Sequence, residues 1–235
     1  METKIRGALF DKDGTLFDFA ATWNAWAQSM LRDLAGGDVE RAAYLGAQIG
    51  YDFHGQAFKR DSVVIAGTPG DIAAVLGREF PDQSEAEIAD RFNAAATVAP
   101  QIEAVPLTPL IARLRELGLK LGVATNDAEA PARAHLAGVG HEGSFDFICG
   151  YDSGYGGKPA PGMCLGFASA VGLDPATVVM VGDSTHDLHA GRAAGMRTVA
   201  VLTGMAEAAE LEPFADVVLP DIGHLPDWIA AQSGQ

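Results

Sequence analysis

Short apolar runs that stop abruptly at polar residues, separated by stretches of helical periodicity, recur through the second half of this chain and set what it can fold into. Leu119 to Ala124 stops at Thr125-Asn126-Asp127, Phe145 to Cys149 runs into a glycine-rich loop and Lys158-Pro159, and Val178 to Val181 stops at Gly182-Asp183. Thr198 to Leu202 and Val217 to Leu219 continue the series, and Lys4 to Phe10, ending at Asp11, opens it. Between them Pro109 to Leu117, Glu129 to Leu136, Met163 to Val171 and Asp187 to Ala194 read as helices. The alternation predicts an α/β fold, a doubly wound (Rossmann-like) parallel sheet covered by helices on both faces. With 235 residues and 48% hydrophobic content, the chain can bury such a core without disulfide staples. Cys149 and Cys164 read as reduced core thiols, which favours the cytoplasm.

Residues 17–99 interrupt this series with a different texture. Phe17 to Leu34 places apolar residues at steps of three and four, Val39 to Ile49 repeats the spacing, and Pro69 to Phe80 opens on a helix-starting proline. Ser84 to Val98 begins with Ser84 and Glu87 at capping-box spacing, while Gly50 to Gly67 reads as irregular. The expectation is a small helical unit, residues 17–99, inserted into a core made of residues 1–16 and 100–235. No apolar run of signal-peptide length precedes the first polar motif, and none reaches the roughly 18 residues of a membrane span, so a soluble protein with no membrane partner is expected.

In a doubly wound sheet the loops at the carboxyl ends of the strands converge on one crevice. Here those loops carry Asp11 and Asp13, Thr125 and Asn126, Lys158, and Asp183 with Asp187. Carboxylates so close repel unless a hard cation sits among them, and oxygen ligands such as Asp11 and Asp183 suit Mg2+. The balance of 31 acidic against 16 basic residues, a formal charge of -15, excludes a nucleic-acid partner. An anionic substrate then needs locally reversed charge, which a metal with open positions supplies for a phosphate oxygen. Lys158 adds a second positive charge, the Thr125 hydroxyl and nearby backbone N–H groups bind the remaining phosphoryl oxygens, and Asp13 reaches toward the leaving-group oxygen. Lys12 is expected to point away by strand alternation.

These residues form Asp11-Lys12-Asp13-Gly14-Thr15-Leu16, Val123-Ala124-Thr125-Asn126, Lys158-Pro159 and Gly182-Asp183-Ser184-Thr185-His186-Asp187, in that order. Together they resemble the four motifs of the haloacid dehalogenase superfamily, of the phosphoglycolate phosphatase-like kind, over nearly the whole chain. The resemblance implies that Asp11 is a nucleophile forming an aspartyl-phosphate, and that Asp13 is general acid and then base. It implies Mg2+ on Asp11, the Asp13 backbone carbonyl and Asp183. Thr125, Asn126 and Lys158 would bind the phosphoryl group, with Gly14, Thr15 and Asp187 in support, and residues 17–99 would be a type C1 cap. The expected activity is Mg2+-dependent hydrolysis of a small phosphorylated metabolite by a monomer or homodimer, with phosphoglycolate the first substrate to try.

Asp13 disfavours the dehalogenase and phosphonate-cleaving branches; a sugar-phosphate mutase keeps it and stays an alternative. A purely binding relative would show a damaged nucleophile, metal or lysine position, and none is damaged. His186 and His189 flank Asp187, but a hard cation prefers oxygen to imidazole. Gly154-Tyr155-Gly156-Gly157 lacks the strand-to-helix context of a phosphate-cradling loop and is expected only to present Lys158. Trp23 and Trp26 are expected to pack within the inserted unit, and Lys59 and Arg60 to lie in a solvated turn or meet a substrate carboxylate.

Overall fold

A computed structural model describes residues 4–232. The expected ends at 1–3 and 233–235 lie outside the described residues. Strand β1 (Gly7–Phe10) is followed by helices α1 (Phe19–Leu34) and α2 (Val39–Gln48), a hairpin of β2 (Tyr51–Asp52) and β3 (Ala57–Phe58), and helices α3 (Val63–Ala66), α4 (Pro69–Leu76) and α5 (Glu85–Thr97). The alternating part then runs α6 (Leu107–Glu116), β4 (Lys120–Ala124), α7 (Glu129–Gly138), β5 (Phe147–Cys149), α8 (Gly162–Val171), β6 (Val178–Gly182), α9 (Thr185–Ala193), β7 (Arg197–Val201), α10 (Ala208–Leu211), β8 (Val217–Leu219) and α11 (Leu225–Gln232).

The strands of this part form one parallel sheet in the order β5-β4-β1-β6-β7-β8, the doubly wound architecture read from the alternation. Period-two geometry sends successive side chains to opposite faces. In β1, Ala8 and Phe10 join one apolar cluster with Leu110, Leu114 and Leu225, and Leu9 joins another with Met163 and Phe167. Val179 and Val181 of β6 repeat the first allegiance, Val178 and Met180 the second. Because both faces are covered, β1 and β6 are buried at every position and read as unbroken apolar runs. Phe10 stands in register with Val123 on one side and Val181 on the other. That register brings Asp11, Thr125 and Asp183 out at one end of the sheet.

The elements α1 to α5 build a third cluster of their own around Trp26, Leu31, Tyr51, Leu76 and Phe92. The first helix begins at Phe19, not Phe17, because Asp18 caps it by accepting from Ala21 N at 2.9 Å. Phe17 instead makes isolated bridges to Asp13 and Glu103. Gly50 to Gly67, expected to be irregular, holds the hairpin and α3: Tyr51 and Phe58 stack at 4.6 Å, and Asp52 Oδ1 accepts from His54 and Gly55 N–H to shape the turn. Among the described residues no helix is long and apolar enough to cross a membrane. Cys149 and Cys164 are free and buried, and burial pushes both thiols up to about 12.

Candidate active site

Asp11 is the first residue beyond β1, and its N–H is still held by Val181 O at 2.8 Å. Lys158, in the loop between β5 and α8, reaches across to it. Its Nζ donates to Asp11 Oδ1 at 2.5 Å, Asp187 Oδ1 at 2.6 Å and Ala124 O at 2.8 Å, which uses all three ammonium protons. Burial works to lower the lysine's pKa, but Asp11 and Asp187 outweigh it and the net shift is upward. Asp11 is pushed up to about 7 by burial, against the pull of Lys158.

Asp187 sits in the first turn of α9 and has both oxygens engaged. Oδ1 holds Lys158, and Oδ2 accepts from Ser184 N at 3.1 Å and Ser184 Oγ at 2.7 Å. It is thus a partner of Lys158, and it also closes the start of α9. Asp183 is packed between two glycines. A Cβ at Gly14, where φ is +80°, lies 2.4 Å from Asp183 Oδ2, and a Cβ at Gly204 lies 1.7 Å from it. Thr15 Oγ1 donates to Asp183 Oδ1 at 3.3 Å, and Thr203 Oγ1 fixes the Gly14 carbonyl at 2.6 Å. Burial, with Asp11 and Asp187 nearby, raises the Asp183 carboxyl well above the usual carboxylate range.

One oxygen from each of Asp11, Asp183 and Asp187 fits within 4.8 Å of the others. Three carboxylates around one ammonium leave a deficit of positive charge, and the all-oxygen donor set fits a hard divalent cation. With Asp187 engaged, Asp11 and Asp183 have the free oxygens. The Asp13 carboxylate is not in this group, which leaves only its backbone carbonyl for the metal role expected of it. His189 packs against Phe214 at 4.5 Å, and His186, its pKa lowered by burial, lines the cavity.

Thr125 and Asn126 follow β4. The Thr125 hydroxyl accepts from Asp127 N at 3.1 Å, so its own proton remains available to a bound oxygen. Asn126 is more committed than its expected phosphoryl-binding role assumed. Its Oδ1 accepts from Lys158 N at 2.7 Å, and its Nδ2 donates to Lys158 O at 2.9 Å and Ala66 O at 2.8 Å. The side chain therefore clamps the lysine loop to the end of α3.

Lys12 does leave the cavity, as strand alternation predicts, yet it is no bystander. Fully buried, its Nζ lies 2.9 Å and 2.7 Å from the two Asp13 oxygens, 3.3 Å from Asp127 Oδ2 and 3.0 Å from His135 Nδ1. An ammonium only donates, so Nδ1 accepts and the ring proton sits on Nε2, which donates to Ala96 O at 2.7 Å. Burial and then Lys12 lower His135 to about 4. A chain of contacts thus runs from Asp13 through Lys12 and His135 to the end of α5. The signal for Lys12 was its place between two aspartates; nothing in the sequence pointed to His135.

An open cavity is lined by Asp11, Asp13, Thr125, Asn126, Lys158, Asp183 and Asp187, and by residues from α1 and α3 to α5. Trp23 and Trp26, in edge contact at 5.1 Å, belong both to this lining and to the cluster of the inserted elements. Arg60 does not reach the cavity. It pairs with Glu207 at 2.7 Å and Glu210 at 2.8 Å, and Lys59 is not in the lining either.

The model of the haloacid dehalogenase-like hydrolase family matches residues 5–195. The chain is 31% identical over 218 residues to a protein named "Probable phosphatase IndB" from Dickeya dadantii, covering 91% of this chain and 88% of that one. It is also 31% identical over 234 residues to a phosphoglycolate phosphatase from Pectobacterium atrosepticum, covering 94% of each. A crystal structure of a predicted phosphoglycolate phosphatase from Haemophilus somnus shares the fold, with a TM-score of 0.74 at 18% identity over 97% of this chain and 99% of that one.

Proposed function

Because this chain belongs to the haloacid dehalogenase-like hydrolases, we propose that it is a phosphatase of small phosphate monoesters, with Asp11 as nucleophile and Asp13 as the proton carrier. The observation that carries the reading is the separation of the two carboxylates. Asp11 is bound to Lys158 among the carboxylates at the floor of the cavity, while Asp13, two residues on, is held apart by Lys12. Two aspartates in different electrostatic settings suit two different tasks. The relatives named as phosphatases support the reaction type.

In the first step an Asp11 carboxylate oxygen attacks phosphorus as the bond to the ester oxygen breaks, and Asp13 gives that oxygen its proton. In the second, Asp13 takes a proton from water, which attacks phosphorus and frees the Asp11 carboxylate and inorganic phosphate. Lys158 and the Thr125 hydroxyl hold phosphoryl oxygens throughout, and Asp187 and Asn126 hold Lys158. Asp11, Asp183 and the Asp13 carbonyl are the groups that would hold Mg2+, which would supply positive charge to the phosphoryl oxygens. Residues 17–99 act as the cap that excludes bulk water and receives the leaving group. Two free thiols fit a reducing compartment, and we place the reaction in the cytoplasm.

Asp11→Asn keeps the shape of the site and removes the nucleophile. Phosphate release from an aryl phosphate is expected to fall by more than about 1000-fold, because losing even a stabilising group costs about 100- to 1000-fold. Wild-type rates from the variant would overturn the mechanism.

A further inference from the structure

The cavity has two kinds of lining, and they differ in charge. The sheet's loops contribute carboxylates and Lys158, whereas the inserted elements contribute rings and aliphatic chains, chiefly Phe19, Trp23, Trp26, Ile65, Ile72 and Phe92. Asn93 is the one polar residue among the inserted lining apart from the indole N–H groups, and no lysine or arginine from residues 17–99 takes part. Three of the six lysines and arginines of that segment are paired elsewhere: Arg60 with Glu207 and Glu210, Arg41 with Glu79 and Arg91 with Asp33. Lys158 is tied to Asp11, Asp187 and Ala124 O, and on the phosphatase reading its charge serves the phosphoryl group and not the leaving group.

From this lining, and resting on the phosphatase reading above, we infer that the leaving group is uncharged and mainly apolar, so that the substrate is the phosphate monoester of an aliphatic or aromatic alcohol. A carboxylate on the leaving group gains no cation from the wall that the inserted elements form, and it adds a negative charge to a space that already holds Asp13, Asp127 and the phosphoryl dianion. An apolar group exchanges water for rings and methyl groups, and the unpaired Trp23 Nε1 and Asn93 Oδ1 of the wall leave a place for one neutral polar atom on it. Phosphoglycolate, the first substrate suggested by the resemblance, is on this account a poor one.

The test compares 2-methylpropyl phosphate with phosphoglycolate, which match in size and differ by the carboxylate, on the intact wild-type chain with Mg2+. 4-Nitrophenyl phosphate serves as a reporter of phosphatase competence. A kcat/KM at least about tenfold higher for the neutral ester is expected. Equal or better use of phosphoglycolate overturns the inference. So does turnover of 4-nitrophenyl phosphate with neither alkyl ester accepted. If all three esters are inert, the phosphatase reading itself fails and the inference falls with it. Ile65 is half-buried in this wall, and Ile65→Arg is expected to narrow the ratio by at least about threefold. A folded variant with the ratio unchanged counts against the role of the wall.

Discussion

Lys12 shows how a single buried charge ties proton transfer to the fold. Its ammonium has no solvent contact and faces two carboxylates, so removing it strands Asp13 and Asp127 in a low-dielectric pocket. Lys12→Met is expected to destabilise the protein by about 3–5 kcal/mol in urea unfolding. Arg60→Ala, removing a pair whose arginine is 51% exposed, is expected to cost under about 1 kcal/mol. Equal midpoint shifts would contradict the distinction. His135 gives the same network a pH signature. Its folded pKa is near 4 against 6.5 for the free side chain, so below pH 6.5 the unfolded chain gains a proton that the native ring refuses until pH 4. That contribution to stability is present above pH 6.5 and is lost as pH falls toward 4, a total of about 3 kcal/mol. The stability gap between wild type and His135→Gln should therefore shrink by about that amount between pH 7 and pH 4; a gap independent of pH would exclude the depressed histidine. The places of Asp11, Asp13, Thr125 and Asp183 in the cavity were legible in the sequence because each follows an apolar run at a strand end, and Lys158 is reached only through the glycine-rich loop after β5. The true employment of Lys12 and Asn126 was not, because it depends on side chains and carbonyls 32 to 123 residues away.

Elements were legible where a local rule decides them. The strand ends came within a few residues because β1, β4 and β6 are continuous apolar runs, and α5 was fixed by its first turn. There Ser84 N and Oγ donate to Glu87 Oε2 at 2.8 Å each, and Glu87 N donates back to Ser84 Oγ at 3.2 Å. Ser84→Ala removes half of this reciprocal cap and is expected to cost about 1 kcal/mol, read from the unfolding midpoint at constant m-value. No loss would mean that α5 is held by packing alone. Where structure depends on distant partners, the local rules fell short. At the start of α7 the Glu129 N–H donates to the Asp152 side chain, 23 residues on, at 2.8 Å. The hairpin β2–β3 is only two residues per strand, too little for a period-two signal. The inserted elements meet the sheet's loops through Asn126 to Ala66, His135 to Ala96 and Arg60 to Glu207 and Glu210. Each contact joins a residue on one side to a carbonyl or carboxylate on the other, and no motif announces such pairs.

At the scale of the whole molecule, the proposed chemistry works against the charge. A formal charge of -15 repels a phosphate dianion at long range, while on the proposed mechanism the attraction comes from a few groups at the end of the sheet, Lys158 and the cation proposed for Asp11 and Asp183. These two fields act over different distances. The Debye length is about 30 Å at 10 mM ionic strength and about 8 Å at 150 mM, so added salt removes the repulsion of distant carboxylates and leaves contacts at 2.5 to 3 Å nearly untouched. Approach of the substrate should therefore quicken with salt, and the bound reaction should not. With Mg2+ kept saturating, kcat/KM for a dianionic monoester is expected to rise severalfold between about 10 and 150 mM KCl while kcat stays level. A cleft whose positive charge extended beyond the site would give the opposite slope, as basic funnels do. A fall in kcat/KM over that range would show that the field at the mouth of the cavity is positive, and that the acidic surface plays no part in how the substrate arrives.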